Sequence, residues 1–156
     1  MSITIERAVE ATPEAHDLIG ELNDVLGAAY EANQRHGLSM KQLFEPNVRF
    51  FLARLDGLAA GCGGVALFDD YAEVKRMYTR PAARGRGVAK ALLRKIEDEA
   101  RRAGKSVLGL ETGTYQQAAI GLYERAGFRL RGPFGPYAAM LARNIETSLF
   151  FEKVLE

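Results

Sequence analysis

Residues 84–93 read RGRGVAKALL and combine two arginines with two glycines just before a predicted helix. The first N–H groups of a helix have no partner inside it, and the helix dipole adds partial positive charge there. Gly85 and Gly87 leave the backbone open to a ligand, and both can adopt positive φ so that successive N–H groups converge. This pattern predicts a binding site for an anion, most often a phosphate.

Basic side chains surround this turn. Eight lysines and arginines, with no acidic residue among them, lie between positions 75 and 95: Lys75, Arg76, Arg80, Arg84, Arg86, Lys90, Arg94 and Lys95. On composition alone, a glycine-rich turn beside a solvated basic helix face is an equally good interpretation. Two better-known phosphate loops are excluded. A P-loop needs Lys and then Ser or Thr after Gly87, and a dinucleotide fingerprint needs a glycine in place of Lys90.

Hydrophobic patterning predicts the elements that position the turn. Strands are predicted over 2–8, 48–55, 58–68, 71–79, 106–113, 128–135 and 147–155, and helices over 13–30, 88–103 and 116–126. The order is therefore β-α-β-β-β-α-β-α-β-β. The strand, helix and strand around residue 84 form a crossover unit. We therefore expect an α/β fold with a mixed (α+β) sheet, mostly antiparallel, with one central parallel pair.

The first helix has a clear start signal, because Thr12 can cap it and Pro13 suits its first position. Its predicted apolar face consists of Leu18, Leu22, Val25, Leu26 and Ala29. Residues 31–47 are polar and contain breakers, so they are predicted to form a loop with a short helix.

Length and composition favour one globular domain spanning 1–156, since 47% of the 156 residues are hydrophobic and 26% are charged. A net charge of +1 gives no general attraction to nucleic acid or to an anionic membrane. The N-terminus does not have the pattern of a signal peptide, and no apolar run is long enough to span a bilayer. We expect a cytoplasmic protein.

The single cysteine, Cys62, lies in the apolar stretch LAAGCGGVAL and is predicted to be a buried structural thiol that forms no intramolecular disulfide. His16 and His36 are far apart in sequence and lack metal-ligand spacing. We therefore predict no metal site.

Two segments together resemble a known family. Arg84-x-x-Gly87-x-Ala89, after a strand ending EVKRMYT, is similar to the acetyl-CoA pyrophosphate loop of the GCN5-related N-acetyltransferases (GNAT). The segment ETGTYQQAAIGLYERAGF is similar to that family's second cofactor segment, and the predicted element order agrees as well. The resemblance covers nearly the whole chain and implies a GNAT-like domain with acetyl-CoA as co-substrate.

The resemblance also implies which residues bind the cofactor. The main chain at Met77, Tyr78 and Thr79 would pair with the pantetheine arm like an added strand. The pyrophosphate would lie against Arg84, Gly85, Arg86, Gly87, Val88, Ala89 and Lys90. Gln116 stands where the family usually has asparagine, a departure at a cofactor-binding position.

Acetyl transfer to an amine needs a neutral nucleophile, a stabilised oxyanion and a proton for the departing thiolate. The resemblance implies direct attack in a ternary complex, with Tyr123 as the acid and Glu73 as the base. Packing alone would also explain Tyr123, and a structural role would explain Glu73. Glu111, at the end of the parallel strand, is the competing carboxylate, and ordered water is the third alternative for the base.

The leading hypothesis is an acetyl-CoA-dependent N-acetyltransferase acting on a primary amine of a small metabolite. The alternative is a non-catalytic acyl-CoA-binding sensor, which would need the phosphate loop but neither proton-transfer group. A nucleic-acid-binding module is disfavoured by the near-zero net charge and by the absence of aromatic residues among the basic ones after Tyr78. The apolar stretch SLFF, residues 148–151, makes a homodimer plausible.

Overall fold

The computed structural model describes all 156 residues. Seven strands are present: β1 (Ile3–Ala8), β2 (Val48–Leu55), β3 (Leu58–Leu67), β4 (Ala72–Thr79), β5 (Val107–Gly113), β6 (Arg129–Arg131) and β7 (Ser148–Val154). Five helices accompany them: α1 (Pro13–Ala29), α2 (Met40–Leu43), α3 (Val88–Arg102), α4 (Gln117–Arg125) and α5 (Ala142–Ile145). The predicted order of the long elements is confirmed. β6 is much shorter than predicted, and α5 was not predicted.

The strands form one sheet in the order β1-β2-β3-β4-β5-β7-β6, in which only β4 and β5 are parallel neighbours. This confirms the predicted fold class. β7 lies between β5 and β6, and Phe150 and Phe151 are buried within the chain. Intramolecular packing therefore already covers both phenylalanines of SLFF, and the homodimer stays a prediction.

One long helix covers each face of the sheet. α3 packs through Val88, Leu92 and Ile96 on the face that includes Phe51, whereas α1 packs on the opposite face. The buried stripe of α1 is Ala15, Leu18, Ile19 and Leu22. Two members of the predicted face, Val25 and Ala29, are exposed instead. The last turns of α1 do not cover the sheet. They border a cleft that Leu22, Leu26 and Tyr30 line.

The parallel pair separates soon after it forms. β4 and β5 pair only at Ala72 with Leu108 and at Glu73 with Gly109, although β4 continues to Thr79 and β5 to Gly113. Beyond Glu73 the β5-facing side of β4 therefore has no neighbouring strand. This separation opens the sheet next to the start of α3.

A β-bulge reshapes β4 within the opened region. Cys62 pairs with Tyr78 and Gly64 with Lys75, so two residues of β4, Arg76 and Met77, face one residue of β3. Arg76 has a φ of 55°, in the left-handed region that non-glycine residues seldom adopt. Bulges change the direction of side chains and end regular pairing. The bulge therefore gives the side chains beyond Lys75 a direction that simple alternation along β4 would not predict.

Candidate active site

A cleft of about 760 Å³, including its open mouth, lies where β4 and β5 separate. Its walls come from α1, the loop after α1, β4, β5 and α4. Five of the catalytic and cofactor-binding residues named from the sequence, with Glu111 as the alternative base, line it: Glu73, Met77, Glu111, Gln116 and Tyr123. Tyr78 does not line the cleft, because its ring packs with the α1 side of the core and its hydroxyl donates to Glu21, 3.1 Å away.

Tyr123 projects from α4 and is only 5% exposed. Its ring packs edge to face on Phe128 at a centroid distance of 5.8 Å, which anchors the aromatic body. Burial, with a smaller contribution from the nearby Glu111 charge, raises the pKa of the Tyr123 phenol. The hydroxyl is therefore protonated at neutral pH and can donate a proton at the cleft wall.

Glu73 belongs to a closed ring of three side chains. Its Oε2 accepts a hydrogen bond from the Tyr137 hydroxyl at 2.6 Å and lies 2.9 Å from Lys75 Nζ. Lys75 Nζ also donates to the Tyr137 hydroxyl at 2.9 Å. Glu73 is 2% exposed, so its oxygen faces this ring and not bulk water. Lys75 and Tyr137 therefore occupy this oxygen of Glu73 with an ion pair and a hydrogen bond.

Sequence reasoning missed Tyr137. It lies in a short turn, Gly135–Ala139, that follows β6 and is 64 residues from Glu73 along the chain. No periodicity or motif links the two positions. Burial, followed by the Glu73 charge, raises the pKa of Tyr137, so this phenol remains a donor to Glu73.

Glu111 is the second carboxylate of the cleft and lies on β5, two positions beyond the last residue paired with β4. The Ser148 hydroxyl donates to its Oε2 at 2.7 Å. Burial raises the pKa of Glu111, and the Ser148 hydrogen bond opposes that effect only in part. A carboxylate with a raised pKa and one protein hydrogen bond has the properties that a general base requires.

Gln116 lies at the cleft end of α4, directly before the first helical residue. Its Oε1 accepts a hydrogen bond from the Tyr30 hydroxyl at 3.2 Å, and that hydroxyl accepts from the Tyr115 N–H at 2.9 Å. Gly113 permits this arrangement, because a Cβ there would collide with the Tyr30 ring. The Gln116 amide oxygen is thus tied to α1, while the residue still lines the cleft.

The turn before α3 has an open backbone. Gly85 and Gly87 have φ values of 77° and 86°, both in the left-handed region. A Cβ at Gly85 would meet nothing within 4 Å, and one at Gly87 would meet only Ile3 Cδ1 at 3.9 Å. Protein packing therefore does not require glycine at either position, but the backbone conformation does. At this turn Val88 exposes only its main chain to a ligand, because its side chain is buried in the core.

The basic side chains around the turn divide into two groups. Three of them are neutralised by salt bridges, Lys75 to Glu73, Arg80 to Glu21 and Lys95 to Glu99. The other five form no salt bridge: Arg76, Arg84, Arg86, Lys90 and Arg94. Arg84 Nε donates to the Thr79 carbonyl at 3.3 Å. The unpaired charge close to the turn is therefore that of Arg84, Arg86 and Lys90, at the start of α3.

Cys62 is buried, as predicted, and burial raises the pKa of its thiol to about 12. No group of three or more His, Cys, Asp or Glu side chains is arranged to hold a metal ion. None of the helices combines the length and the apolar character that crossing a membrane requires.

Comparisons with known proteins agree with this geometry. The profile of the acetyltransferase (GNAT) family matches residues 16–128. A protein of Azospirillum brasilense named IAA acetyltransferase is 45% identical over 99% of both chains. A Klebsiella pneumoniae structure with the provisional name acyl-CoA N-acyltransferase is 33% identical, with a TM-score of 0.77 over 99% of this chain and 98% of that one.

Fold similarity extends to more distant structures. The PaiA N-acetyltransferase of Thermoplasma acidophilum, solved in complex with coenzyme A, has a TM-score of 0.75 over 99% of each chain at 18% identity. The fold, the separated parallel strands and these similarities define an acyltransferase that uses acetyl-CoA. The chain belongs to the GNAT family of acetyltransferases.

Proposed function

We propose that the protein transfers the acetyl group of acetyl-CoA to a primary amine of a small metabolite by direct attack in a ternary complex. The observation that carries this proposal is one cleft that holds a protonated phenol, Tyr123, and a carboxyl group of raised pKa, Glu111, beside the opened edge of β4. Direct transfer also agrees with Cys62, whose buried thiol has too high a pKa to act as an acyl carrier.

The residues present fit acetyl-CoA. Its pyrophosphate would lie against the N-terminus of α3, with Gly85 and Gly87 admitting it and Arg84, Arg86 and Lys90 supplying positive charge. Val88 and Ala89 would contribute main-chain N–H groups. The pantetheine arm would run along the main chain of Met77, Tyr78 and Thr79, where β4 has no neighbour on its β5 side. When bound, acetyl-CoA supplies the thioester.

Within this arrangement Tyr123 would give a proton to the departing sulfur. For the base, the contacts favour Glu111 over Glu73. Glu73 already accepts from Tyr137 and pairs with Lys75, whereas the one protein donor to the Glu111 carboxylate is the Ser148 hydroxyl. We assign Glu111 as the base and Glu73 as the residue that positions Lys75 and Tyr137. Gln116 would contribute to the cofactor side of the cleft through its amide nitrogen.

The test is a panel of small amines assayed for release of free coenzyme A. We expect at least one amine to be turned over, with Glu111→Gln lowering kcat far more than Glu73→Gln at neutral pH. A larger loss of kcat in Glu73→Gln than in Glu111→Gln would instead assign Glu73 as the base. Tight binding of acetyl-CoA with no acceptor in the panel would contradict the proposal and support a role in sensing the cofactor.

A further inference from the structure

Arg76 is a cation on the cleft wall that has no carboxylate partner. None of the salt bridges in the structure includes it. Its one hydrogen bond goes from Nη2 to the neutral side-chain oxygen of Asn23. Its Nε is buried and has no partner. A guanidinium has five N–H donors and normally pairs with an anion when it is removed from water. The hydrogen-bonding capacity of Arg76 is therefore only partly satisfied within the protein.

The backbone holds Arg76 in this position at some cost. The residue occupies the β-bulge of β4 at a φ of 55°, a conformation that an ordinary strand residue would avoid. Its guanidinium lies against the loop after α1, next to Gly37. A Cβ on Gly37 would come within 3.0 Å of the guanidinium carbon and within 3.1 Å of Cδ. Loop and bulge together fix the side chain of Arg76, which is one of the residues that line the cleft.

The charges of the cleft leave this cation uncompensated. Besides Arg76, the lining contains the cationic side chains of Arg35 and Lys75 and the carboxyl groups of Glu73 and Glu111. Lys75 is neutralised by Glu73 at 2.9 Å. That leaves Glu111 against two arginines that form no salt bridge. An acceptor with only an amine would enter a site with an excess of positive charge.

We propose that the acceptor carries a carboxylate in addition to its amine, as an amino acid does, and that Arg76 binds this carboxylate. This inference rests on the proposed amine acetyltransferase function. A planar guanidinium forms two parallel hydrogen bonds with a carboxylate, which gives orientation as well as affinity. Arg35, on the loop opposite β4, adds positive charge to the same region. With the carboxylate held by Arg76, the amine is directed to Glu111 and Tyr123, which line the same cleft.

The first experiment uses the unmodified protein and matched pairs of acceptors. Each α- or ω-amino acid is compared with its primary carboxamide, which keeps the amine and removes the negative charge. We expect kcat/KM to be at least about tenfold higher for the acid, the scale of hydrogen bonds to a charged group. Amides that react as fast as the acids would overturn the inference and leave the proposed function intact. If acetyl-CoA binds but neither the acids nor the amides are acetylated, the inference and the proposed function both fail.

The second experiment changes Arg76. In Arg76→Gln we expect KM for the carboxylate acceptor to rise about 10- to 100-fold, with kcat and acetyl-CoA affinity little changed. KM for the matched amide should stay the same. Arg76→Lys keeps the charge without the planar fork and should recover part of the loss. It also provides a second variant if the glutamine variant is unstable.

The control is Arg54→Gln, because Arg54 is paired with Glu6 and Glu14 and does not line the cleft. It should lose stability but keep the acid-to-amide preference of the parent protein. An Arg76→Gln variant that also keeps this preference would show that Arg76 does not bind the acceptor carboxylate.

Discussion

At the scale of single residues, Tyr123 is the group whose role is most directly measurable. Replacing it with Phe keeps the ring that packs on Phe128 and removes only the hydroxyl. A phenol that donates to the leaving thiolate acts in the transition state, so Tyr123→Phe should lower kcat by about 100-fold or more while the Kd for acetyl-CoA stays constant. Steady-state turnover and calorimetric titration measure the two quantities.

Tyr115→Phe is a suitable control for that experiment, because Tyr115 precedes the same helix and its side chain is 65% exposed. Its turnover should match that of the parent protein. If Tyr123→Phe also keeps turnover within a factor of two, Tyr123 is a packing residue and another group protonates the sulfur.

Glu111 should lower the stability of the folded protein while it supports activity. Its pKa is raised by burial, so the native state favours the protonated form and stability decreases as pH rises through the native pKa. Gln has the same shape, can still accept from Ser148 and never ionises. Glu111→Gln should therefore unfold at a higher Tm than the parent protein at pH 8, and this difference should disappear near pH 4, below the ordinary glutamate value of 4.5. Thermal unfolding at the two pH values tests this.

The same pKa predicts the pH dependence of catalysis. A base of raised pKa loses its activity at a higher pH than an ordinary glutamate would, so kcat/KM should fall on acidification with a midpoint above pH 4.5. A Glu111→Gln variant that retained both the activity and this acidic limb would exclude Glu111 as the base.

The residues of the cleft were only partly predictable from the sequence. Tyr123, Glu73 and Glu111 could be found, because each lies in or beside a segment with a recognisable pattern. Tyr137 and Arg76 could not be assigned to the site. Tyr137 reaches Glu73 across 64 residues from a turn without periodicity, and Arg76 depends on a bulge. Contacts of this kind are set by tertiary packing, which local sequence patterns do not encode.

At the scale of elements, the turn from β4 into α3 combines two glycines of positive φ with a helix N-terminus. Gly87→Ala should strain the backbone by about 1–2 kcal/mol and place a methyl group where a phosphate would approach the N–H groups. We expect a folded protein with a Tm a few degrees lower and an affinity for coenzyme A reduced by about tenfold or more. Thermal unfolding and calorimetry measure both effects.

Gly104→Ala is the matched control for Gly87→Ala. Gly104 follows the end of the same helix at a φ of 78°, and a Cβ there would meet nothing within 4 Å. It should show the same loss of stability with no loss of cofactor affinity. Equal affinities in the two variants would mean that the turn before α3 has only a structural role.

Among the elements, the hairpins and long helices follow from the sequence, since Asp56-Gly57, Gly104 and Gly127 mark their ends. The early separation of β4 from β5 was not predicted. Pairing stops at Glu73 and Gly109 although both strands continue, and nothing in their composition requires it to stop there. α5 was missed for a different reason, because a four-residue helix offers too few positions for a 3.6-residue pattern.

At the scale of the whole molecule, one continuous seven-stranded sheet connects two hydrophobic clusters, one under each long helix. This arrangement supports our proposal that residues 1–156 form a single domain, in which the cleft lies at the separation of the two central strands. The net charge is only +1, so attraction of an anionic cofactor must come from the cationic group at the start of α3 and not from the overall charge.

Cofactor binding should therefore stabilise the folded protein as a unit and should depend on the phosphates. A ligand present at 100 times its Kd adds about 2.7 kcal/mol to the free energy of unfolding. For a chain of this length that corresponds to a rise in Tm of roughly 5–10 °C. Coenzyme A should produce such a rise at a concentration where pantetheine, which lacks the phosphates, produces a much smaller one. Added salt should reduce the rise for coenzyme A more than for pantetheine, because mobile ions screen the exposed arginines and lysine around the turn. Equal shifts for the two ligands at every salt concentration would contradict a phosphate site at Arg84 to Lys90 and would place the binding energy in the cleft alone.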